Sequence, residues 1–114
     1  MLIEEKSFQF ALNTINLVKI LRAHKEYIFA NQLLRCSTSI GANVAEAGAG
    51  QSKKDFIAKM AIASKEARET RYWLKLIKES GLVSEDLEFY LKEIEEIIKI
   101  LTKIVKTSQS NSNS

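Results

Sequence analysis

The sequence predicts an all-α protein that folds as an antiparallel up-down-up-down four-helix bundle. Apolar residues recur at steps of three and four along four long segments, which is the period of a helix buried on one face. The 114 residues include no proline, so the strongest helix breaker is absent from all of these segments. The breaks between segments are short, which favours consecutive helices lying side by side in opposite directions.

The first helix is expected over about residues 5–24. Its predicted core face consists of apolar residues at helical spacing, Phe8, Ala11, Leu12, Ile15 and Val18, and is widened by Leu17 and Leu21. A second apolar stripe is present on this helix and on the fourth, and a bundle core accommodates one stripe per helix. The members of these stripes are Phe10, Leu17 and Leu21, and Tyr90, Ile97 and Ile104. We therefore expect the second stripes to form a subunit interface.

The second and third helices, about residues 27–48 and 53–80, have apolar seams that alternate steps of four and three. This alternation is typical of two helices that pack at a shallow angle. The second seam comprises Leu33, Ser37, Ile40, Val44 and Ala47. The third comprises Phe56, Met60, Ala63, Ala67, Thr70, Leu74 and Ile77. Small residues on both seams predict a close approach of these two helices.

The turn between these helices contains glycines and a capping signal. Gly48 and Gly50 are predicted to end the second helix in a left-handed conformation. Ser52, followed three residues later by Asp55, is typical of the N-terminus of the next helix. The turn "GAGQSKK" lacks the spacing of a phosphate-binding loop, and no strand precedes it.

The fourth helix is expected over about residues 84–106, after a stop at Gly81 and with Ser84 as its N-cap. Its predicted core positions are Leu87, Leu91, Ile94, Ile98, Leu101 and Val105. Residues 107–114 carry no apolar side chain, which predicts a disordered polar tail. The expected organisation is a single four-helix domain over residues 1–106, followed by that tail.

Composition argues against an enzyme with a metal or another cofactor. Cys36 is the only cysteine and His24 the only histidine, too few for a zinc or iron–sulfur site. No histidine is close in sequence to Cys36, so covalent catalysis is not expected. The N-terminus lacks the features of a signal peptide, and no stretch approaches a membrane span. We expect a cytoplasmic protein that has no catalytic residues and no membrane association.

A polar stripe borders the seam of the second and third helices. Its members are Arg35, Ser39, Asn43, Glu46, Glu66 and Glu69. A hairpin that folds near residue 50 would pair Arg35 with Glu66, and Glu46 with Lys53 or Lys54. The favoured interpretation is a structural network that fixes helix register. The alternative is a polar pocket for a ligand.

A basic face is predicted on the third helix. Residues 51–80 contain eight Lys or Arg against four Asp or Glu, although the whole chain has a formal charge of only +3. The members of this face are Lys65, Arg68, Arg71, Tyr72, Lys75 and Lys78. Such a strip can neutralise RNA phosphates while an aromatic ring stacks on a base. The alternative is a solvated helix face that Glu69 and Glu79 partly neutralise.

The stretch "RCSTSIGANVAEAGAGQSKKDFIAKMAIASKEARETRYWL" resembles a known signature. It resembles the four-helix bundle family encoded in intervening sequences of bacterial large-subunit (23S) ribosomal RNA genes. The motif residues are Ser39-Ile40, Asn43, Ala45-Glu46, Ser52, Phe56, Ala63, Glu66, Glu69-Thr70 and Trp73-Leu74. The resemblance implies a cytoplasmic all-helical homopentamer. It extends to the accessory proteins of diversity-generating retroelements, which bind nucleic acid and a reverse transcriptase.

Two functions follow from these observations. The first is a non-enzymatic homo-oligomer that binds RNA, or a ribonucleoprotein partner, through the basic face of the third helix. The second is a structural or protein-interaction scaffold that does not bind nucleic acid. Salt-sensitive RNA binding would distinguish the first from the second.

Overall fold

The protein consists of four long helices, as the sequence predicts. The structure, a computed structural model, describes residues 2–49 and 52–113. In chain order, the helices are α1 (Leu2–Ala23), α2 (Tyr27–Gly48), α3 (Lys53–Ser80) and α4 (Glu88–Asn113). Each helix contacts two others, because α1 packs on α2 and α4 while α3 packs on α2 and α4. The all-α four-helix bundle class is therefore confirmed.

Contacting residues pair in opposite order along neighbouring helices. Between α2 and α3, Glu46 meets Lys59 and Arg35 meets Glu66. Between α3 and α4, the pairs are Lys78 with Glu88 and Arg71 with Glu95. Between α1 and α4, they are Asn13 with Tyr90 and Lys6 with Glu93. Such pairing is expected of helices that run in opposite directions.

The seams predicted for α2 and α3 form the centre of the core. All five seam residues of α2 are buried, and so are all those of α3 except Phe56, which is half-buried. Both seams include small side chains, Ser37 and Ala47 on α2 and Ala63, Ala67 and Thr70 on α3, which allow the two backbones to approach closely. The buried apolar residues of all four helices form one cluster.

The core face predicted for α1 and the second stripes predicted for α1 and α4 need correction, whereas four predicted core residues of the fourth helix are buried: Leu87, Ile94, Ile98 and Leu101. Phe8 and Leu12 are 66% and 45% exposed, whereas Phe10, Leu17 and Leu21, which were assigned to a subunit interface, are buried. On α4, the second-stripe residue Ile97 is likewise buried. Four further positions on α4 are half-buried: Tyr90 and Ile104 of the second stripe, and Leu91 and Val105 of the predicted core face. The predicted second stripes are therefore mostly core.

The face of α1 that is buried in the bundle contains two hydroxyl side chains in addition to Phe10, Leu17 and Leu21. Ser7 and Thr14 are fully buried between its apolar positions. Each satisfies its hydroxyl within the helix, because Ser7 Oγ donates to Glu4 O at 3.2 Å and Thr14 Oγ1 donates to Phe10 O at 2.9 Å. Polar residues lower the apparent hydrophobicity of a helix face, so the pattern favoured the stripe that contains Phe8 instead.

Some helix ends follow the predicted signals. Ser52 caps α3, since its Oγ accepts from Asp55 N at 3.1 Å, and Gly81 ends α3 in the left-handed region with φ 67°. The left-handed end predicted for α2 is not seen at Gly48, which is still helical; Ala49 follows with φ −97°. Gly50 lies outside the described residues.

The start and the end of α4 differ from the prediction. The helix begins at Glu88 rather than near Ser84, and Asp86 Oδ1, not Ser84, accepts from Glu88 N at 3.0 Å. It continues to Asn113, so the disordered tail predicted from residue 107 is wrong for residues 107–113, and Ser114 lies outside the described residues. Each residue added to an established helix gains one backbone hydrogen bond, so a polar segment can extend it.

Candidate nucleic-acid interface

The basic face predicted on α3 is largely exposed. Lys65, Arg68, Lys75 and Lys78 are exposed along this helix, and Arg71 is half-buried. Tyr72 is 57% exposed, and its ring meets that of Trp73 edge-on at a centroid distance of 5.5 Å. The steps of three and four between the cations place them along one side of the helix. The structure therefore brings these predicted residues together on one surface.

Two of the predicted cations are held by carboxylates of α4. Arg71 Nη1 donates to both oxygens of Glu95, at 3.0 and 3.2 Å. Lys78 Nζ lies 2.6 Å from Glu88 Oε1, and hydrogen bonding to Glu88 raises the pKa of Lys78. These pairs connect α3 to the acidic half of α4, so Arg71 and Lys78 contribute little free positive charge.

The remaining cations of this face have no acidic partner. In the part of the chain that the structure describes, Lys65, Arg68 and Lys75 form no ion pair. Arg68 Nη2 donates instead to the hydroxyl of Thr102 on α4, at 3.1 Å. Glu69, expected to neutralise part of this face, is engaged by Arg35 of α2. A positively charged surface that can bind phosphate therefore remains at Lys65, Arg68 and Lys75.

The polar stripe between α2 and α3 is organised around Arg35. Its guanidinium pairs with Glu66 at 3.3 Å and with Glu69, and it donates to Gln32 Oε1. Trp73 Nε1 donates to Glu69 at 3.3 Å. Burial lowers the pKa of Arg35, but the fields of Glu69 and Glu66 outweigh it, so the pKa is raised overall. The predicted Arg35–Glu66 pair is confirmed, whereas the parts of Gln32 and Trp73 were missed.

The other members of the polar stripe do not join this cluster. Asn43 Nδ2 donates to Ser39 O at 2.9 Å and to Ser39 Oγ at 3.1 Å, within α2 itself. Glu46 pairs with Lys59 at 3.0 Å, which corrects the predicted pairing with Lys53 or Lys54. Lys59 is half-buried, whereas Lys53 and Lys54 in the first turn of α3 are exposed.

The side chains of the polar stripe are hydrogen-bonded or ion-paired within the protein, which favours a structural role for the stripe. Among the described residues, no buried side-chain nitrogen or oxygen lacks a hydrogen-bond partner. A ligand pocket would instead present unpaired polar groups to its ligand. Three ion pairs of the stripe connect α2 to α3: Arg35 with Glu66, Arg35 with Glu69, and Glu46 with Lys59.

The two residues weighed for metal or covalent chemistry are not assembled into a site. Cys36 is buried, and burial raises the pKa of its thiol, which disfavours the nucleophilic thiolate. His24 is exposed at the end of α1, where its Nδ1 lies 2.9 Å from Ile20 O. Across residues 2–49 and 52–113, no group of His, Cys, Asp or Glu is arranged to hold a metal ion.

An apolar groove between α1 and α2 was missed by the sequence analysis. It has a volume of about 560 Å³. Its walls include Phe8, Leu12 and Ile15 of α1, and its floor includes Gly41 and Ala45 of α2. These α1 residues were assigned to the core, so the surface they form instead could not be recognised. The floor of small residues leaves room for another helix to approach.

The fold and these surfaces define an all-helical bundle protein with a basic face and a separate apolar groove. Residues 1–103 match the family described as "23S rRNA-intervening sequence protein", and the chain belongs to this family. The predicted resemblance is thereby confirmed. A comparison with curated proteins found no match.

A solved structure supports the same assignment. The chain is similar to a crystal structure from Bacteroides thetaiotaomicron, described as a protein with unknown function from the S23 ribosomal protein family. The two are 42% identical with a TM-score of 0.86, over 91% of this chain and 98% of that one. Over the residues described here, no helix has the length and apolar character needed to cross a membrane.

Proposed function

We propose that this protein is a non-enzymatic homo-oligomer that binds RNA through the basic face of α3. The observation that carries the proposal is the group of exposed cations without acidic partners, Lys65, Arg68 and Lys75, beside the exposed ring of Tyr72. Cations arranged along a helix neutralise successive phosphates and release counterions, which favours binding without sequence specificity. A tyrosine ring held edge-on by Trp73 is already oriented to stack on an unpaired base.

The comparisons are consistent with a partner that contains RNA. The family description refers to 23S rRNA, and that of the solved relative refers to a ribosomal protein family. These words concern the family and the relative. For this chain, the ribosomal protein description of the relative favours RNA, free or within a ribonucleoprotein, over other polyanions, whereas the family description concerns where the genes lie.

The test is RNA retention at low and moderate salt with a neutralised face. The variant Lys65→Gln/Arg68→Gln/Lys75→Gln should bind a single-stranded oligoribonucleotide roughly tenfold more weakly, and the salt slope should fall by about 2. Lys19→Gln/Arg22→Gln/Lys25→Gln is the matched control, because it removes three exposed charges at the end of α1 and in the turn that follows it. Wild-type binding that is insensitive to salt, or equal losses in both variants, would contradict the proposal.

The self-association part of the proposal is based on the groove between α1 and α2, with a second copy of the chain as its occupant. The chain itself exposes apolar residues on another surface, Ile62 and Leu76 of α3, which are 41% and 37% exposed. A groove that receives side chains from a different face of the next copy makes a head-to-tail contact rather than a self-matching one. Such interfaces form closed rings when the rotation between copies allows it, which accommodates the pentamer implied by the family resemblance.

Light scattering tests this assembly. Phe8→Ser should shift the protein towards monomer, whereas Phe89→Ser, at a site with 53% exposure outside the groove, should not. A monomeric wild type, or a Phe8→Ser protein of unchanged mass, would contradict the proposed interface.

The groove also supports the second candidate function, a protein-interaction scaffold that does not bind RNA. In that case the assembly would depend on Phe8, and RNA would not be retained at any salt concentration. The two measurements together therefore distinguish the candidates.

A further inference from the structure

The charges of α4 are separated along its length. Every acid in and just before the helix lies between residues 85 and 96, whereas residues 97–114 contain three lysines and no acid. Those lysines are Lys99, Lys103 and Lys106, all exposed. Counted together, residues 81–114 contain four basic and six acidic residues, a total that does not show this separation. The C-terminal half of α4 is therefore a positively charged segment.

The three lysines lie on one side of the helix. Their spacing of four and three is that of residues which follow one another along a helix face. The rise of about 1.5 Å per residue separates Lys99 from Lys106 by about 10 Å along the axis. Glu96, the last acid of the chain, is held on the α1 side by Lys6 at 2.7 Å. Within the described residues, none of the three lysines is in an ion pair.

This lysine strip borders the basic face of α3. Arg68 of α3 donates to Thr102 of α4, which lies three residues after Lys99 and four residues before Lys106, about one turn from each. A groove at this junction is lined by Ser64 and Arg68 from one helix and by Thr102, Lys106 and Gln109 from the other. Hydroxyl and amide groups between cations are the donors that commonly complete phosphate contacts.

The two halves of the α3–α4 surface thus differ in sign. At one end, Glu95 and Glu88 neutralise Arg71 and Lys78. At the other end, Arg68 contacts Thr102, which lies in a segment of α4 that contains only basic charges. Positive potential is therefore concentrated where the first half of α3 meets the second half of α4.

We infer that the RNA backbone lies across the junction of α3 and α4, with Lys99, Lys103 and Lys106 as phosphate-binding residues. This inference rests on the proposed function, because it extends the same RNA site onto a second helix. The ligand is the phosphate backbone of RNA, bound without sequence specificity. The extension adds three contacts to those of Lys65 and Arg68 and moves the centre of the site away from Lys78.

An anionic membrane surface would also attract lysines, but the apolar part of such a site is missing. Helices that bind a bilayer surface bury exposed apolar side chains beside their basic residues. From residue 90 to 111, the described part of α4 exposes no large hydrophobic side chain. The strip is therefore suited to a polyanion in solution.

The test compares two neutralised triplets with the same control. Lys99→Gln/Lys103→Gln/Lys106→Gln should weaken binding of a mixed-sequence oligoribonucleotide roughly tenfold and lower the salt slope by about 2. Lys19→Gln/Arg22→Gln/Lys25→Gln, at the end of α1 and in the turn before α2, should bind as wild type. Replacing the three α4 lysines with arginine should preserve binding, because the charge remains, and circular dichroism verifies that each variant is folded.

The outcomes separate this inference from the proposed function. If the α3 triplet loses binding while the α4 triplet matches the control, the α4 path is wrong and the α3 site stands. If the wild type does not bind RNA, or neither triplet weakens it, both proposals fail. If the α4 triplet instead loses retention on phosphatidylserine vesicles with RNA binding unchanged, the segment is a membrane contact and the inference is overturned.

Discussion

Arg71 and Glu95 are joined across the interface of α3 and α4, with one guanidinium nitrogen donating to both carboxylate oxygens at 3.0 and 3.2 Å. This contact divides the basic face of α3. On one side, Arg71 and Lys78 stabilise the bundle through acids of α4. On the other side, Lys65 and Arg68 remain available to a ligand. A basic residue on a helix surface is thus a binding candidate only when the neighbouring helix leaves it unpaired.

Releasing Arg71 should strengthen RNA binding. Glu95→Gln removes the carboxylate and frees a guanidinium on the proposed RNA surface, so the salt slope should rise by about 0.7 for one added phosphate contact. The measurement is retention on single-stranded RNA over a salt series. Glu85→Gln makes the same change in net charge in the exposed turn before α4. Equal gains in both variants would show a general charge effect instead.

The reassigned face of α1 can be tested by unfolding. Phe10→Ala removes a side chain that is 2% exposed and should cost about 3–5 kcal/mol, because a cavity replaces a buried ring. Phe89→Ala, at a residue that is 53% exposed, should cost far less. Urea denaturation at one fixed protein concentration compares them. Similar losses in the two variants would contradict the core position of Phe10.

The two serines expected to cap helices should behave differently. Ser52→Ala removes the acceptor of the Asp55 amide hydrogen bond and should destabilise the protein by about 1 kcal/mol. Ser84→Ala should change stability by less than about 0.5 kcal/mol, since Asp86, not Ser84, accepts the hydrogen bond from the amide of Glu88 at the start of α4. Thermal unfolding gives both values. A larger effect at Ser84 would mean that α4 starts earlier than Glu88.

Acid should weaken the contact between α1 and α4. Lys6 lies 2.8 Å from Glu93 and 2.7 Å from Glu96, and its hydrogen bond lowers the pKa of Glu96. A lowered carboxyl pKa contributes stability above the ordinary value of about 4.3, and that contribution is lost as pH falls through the folded-state pKa.

Lys6→Met should therefore lose less stability than wild type between neutral and acidic pH, with Lys19→Met as the control. Urea midpoints over a pH series provide the measurement. If Lys6→Met shows the full acid dependence of the wild type, this ion pair does not cause it. The hydrogen bonds to Glu93 and Glu96 also raise the pKa of Lys6, so its own contribution disappears only at strongly alkaline pH.

Sequence reasoning succeeded where one apolar stripe dominates a helix. The seams of α2 and α3 were predicted residue by residue, because small and apolar side chains there recur without a competing stripe. The Arg35–Glu66 pair followed from the position of the turn alone. The prediction of the buried face of α1 was wrong, since periodicity gives two apolar stripes on this helix and does not determine which of them packs against the other helices. Buried Ser7 and Thr14 made the true seam look polar.

Local chemistry in the sequence thus determined four helices, the capping serine at position 52, the left-handed glycine at position 81 and the family. These features depend on residues close to one another in the chain or on a repeated spacing. Only the tertiary structure decided which cations are free, because Glu95 and Glu88, which pair with Arg71 and Lys78, belong to a different helix. It also placed Arg68 beside Thr102, and with it the lysines of α4 beside the basic face of α3. Charge availability depends on distances across helices, which spacing along one helix does not specify.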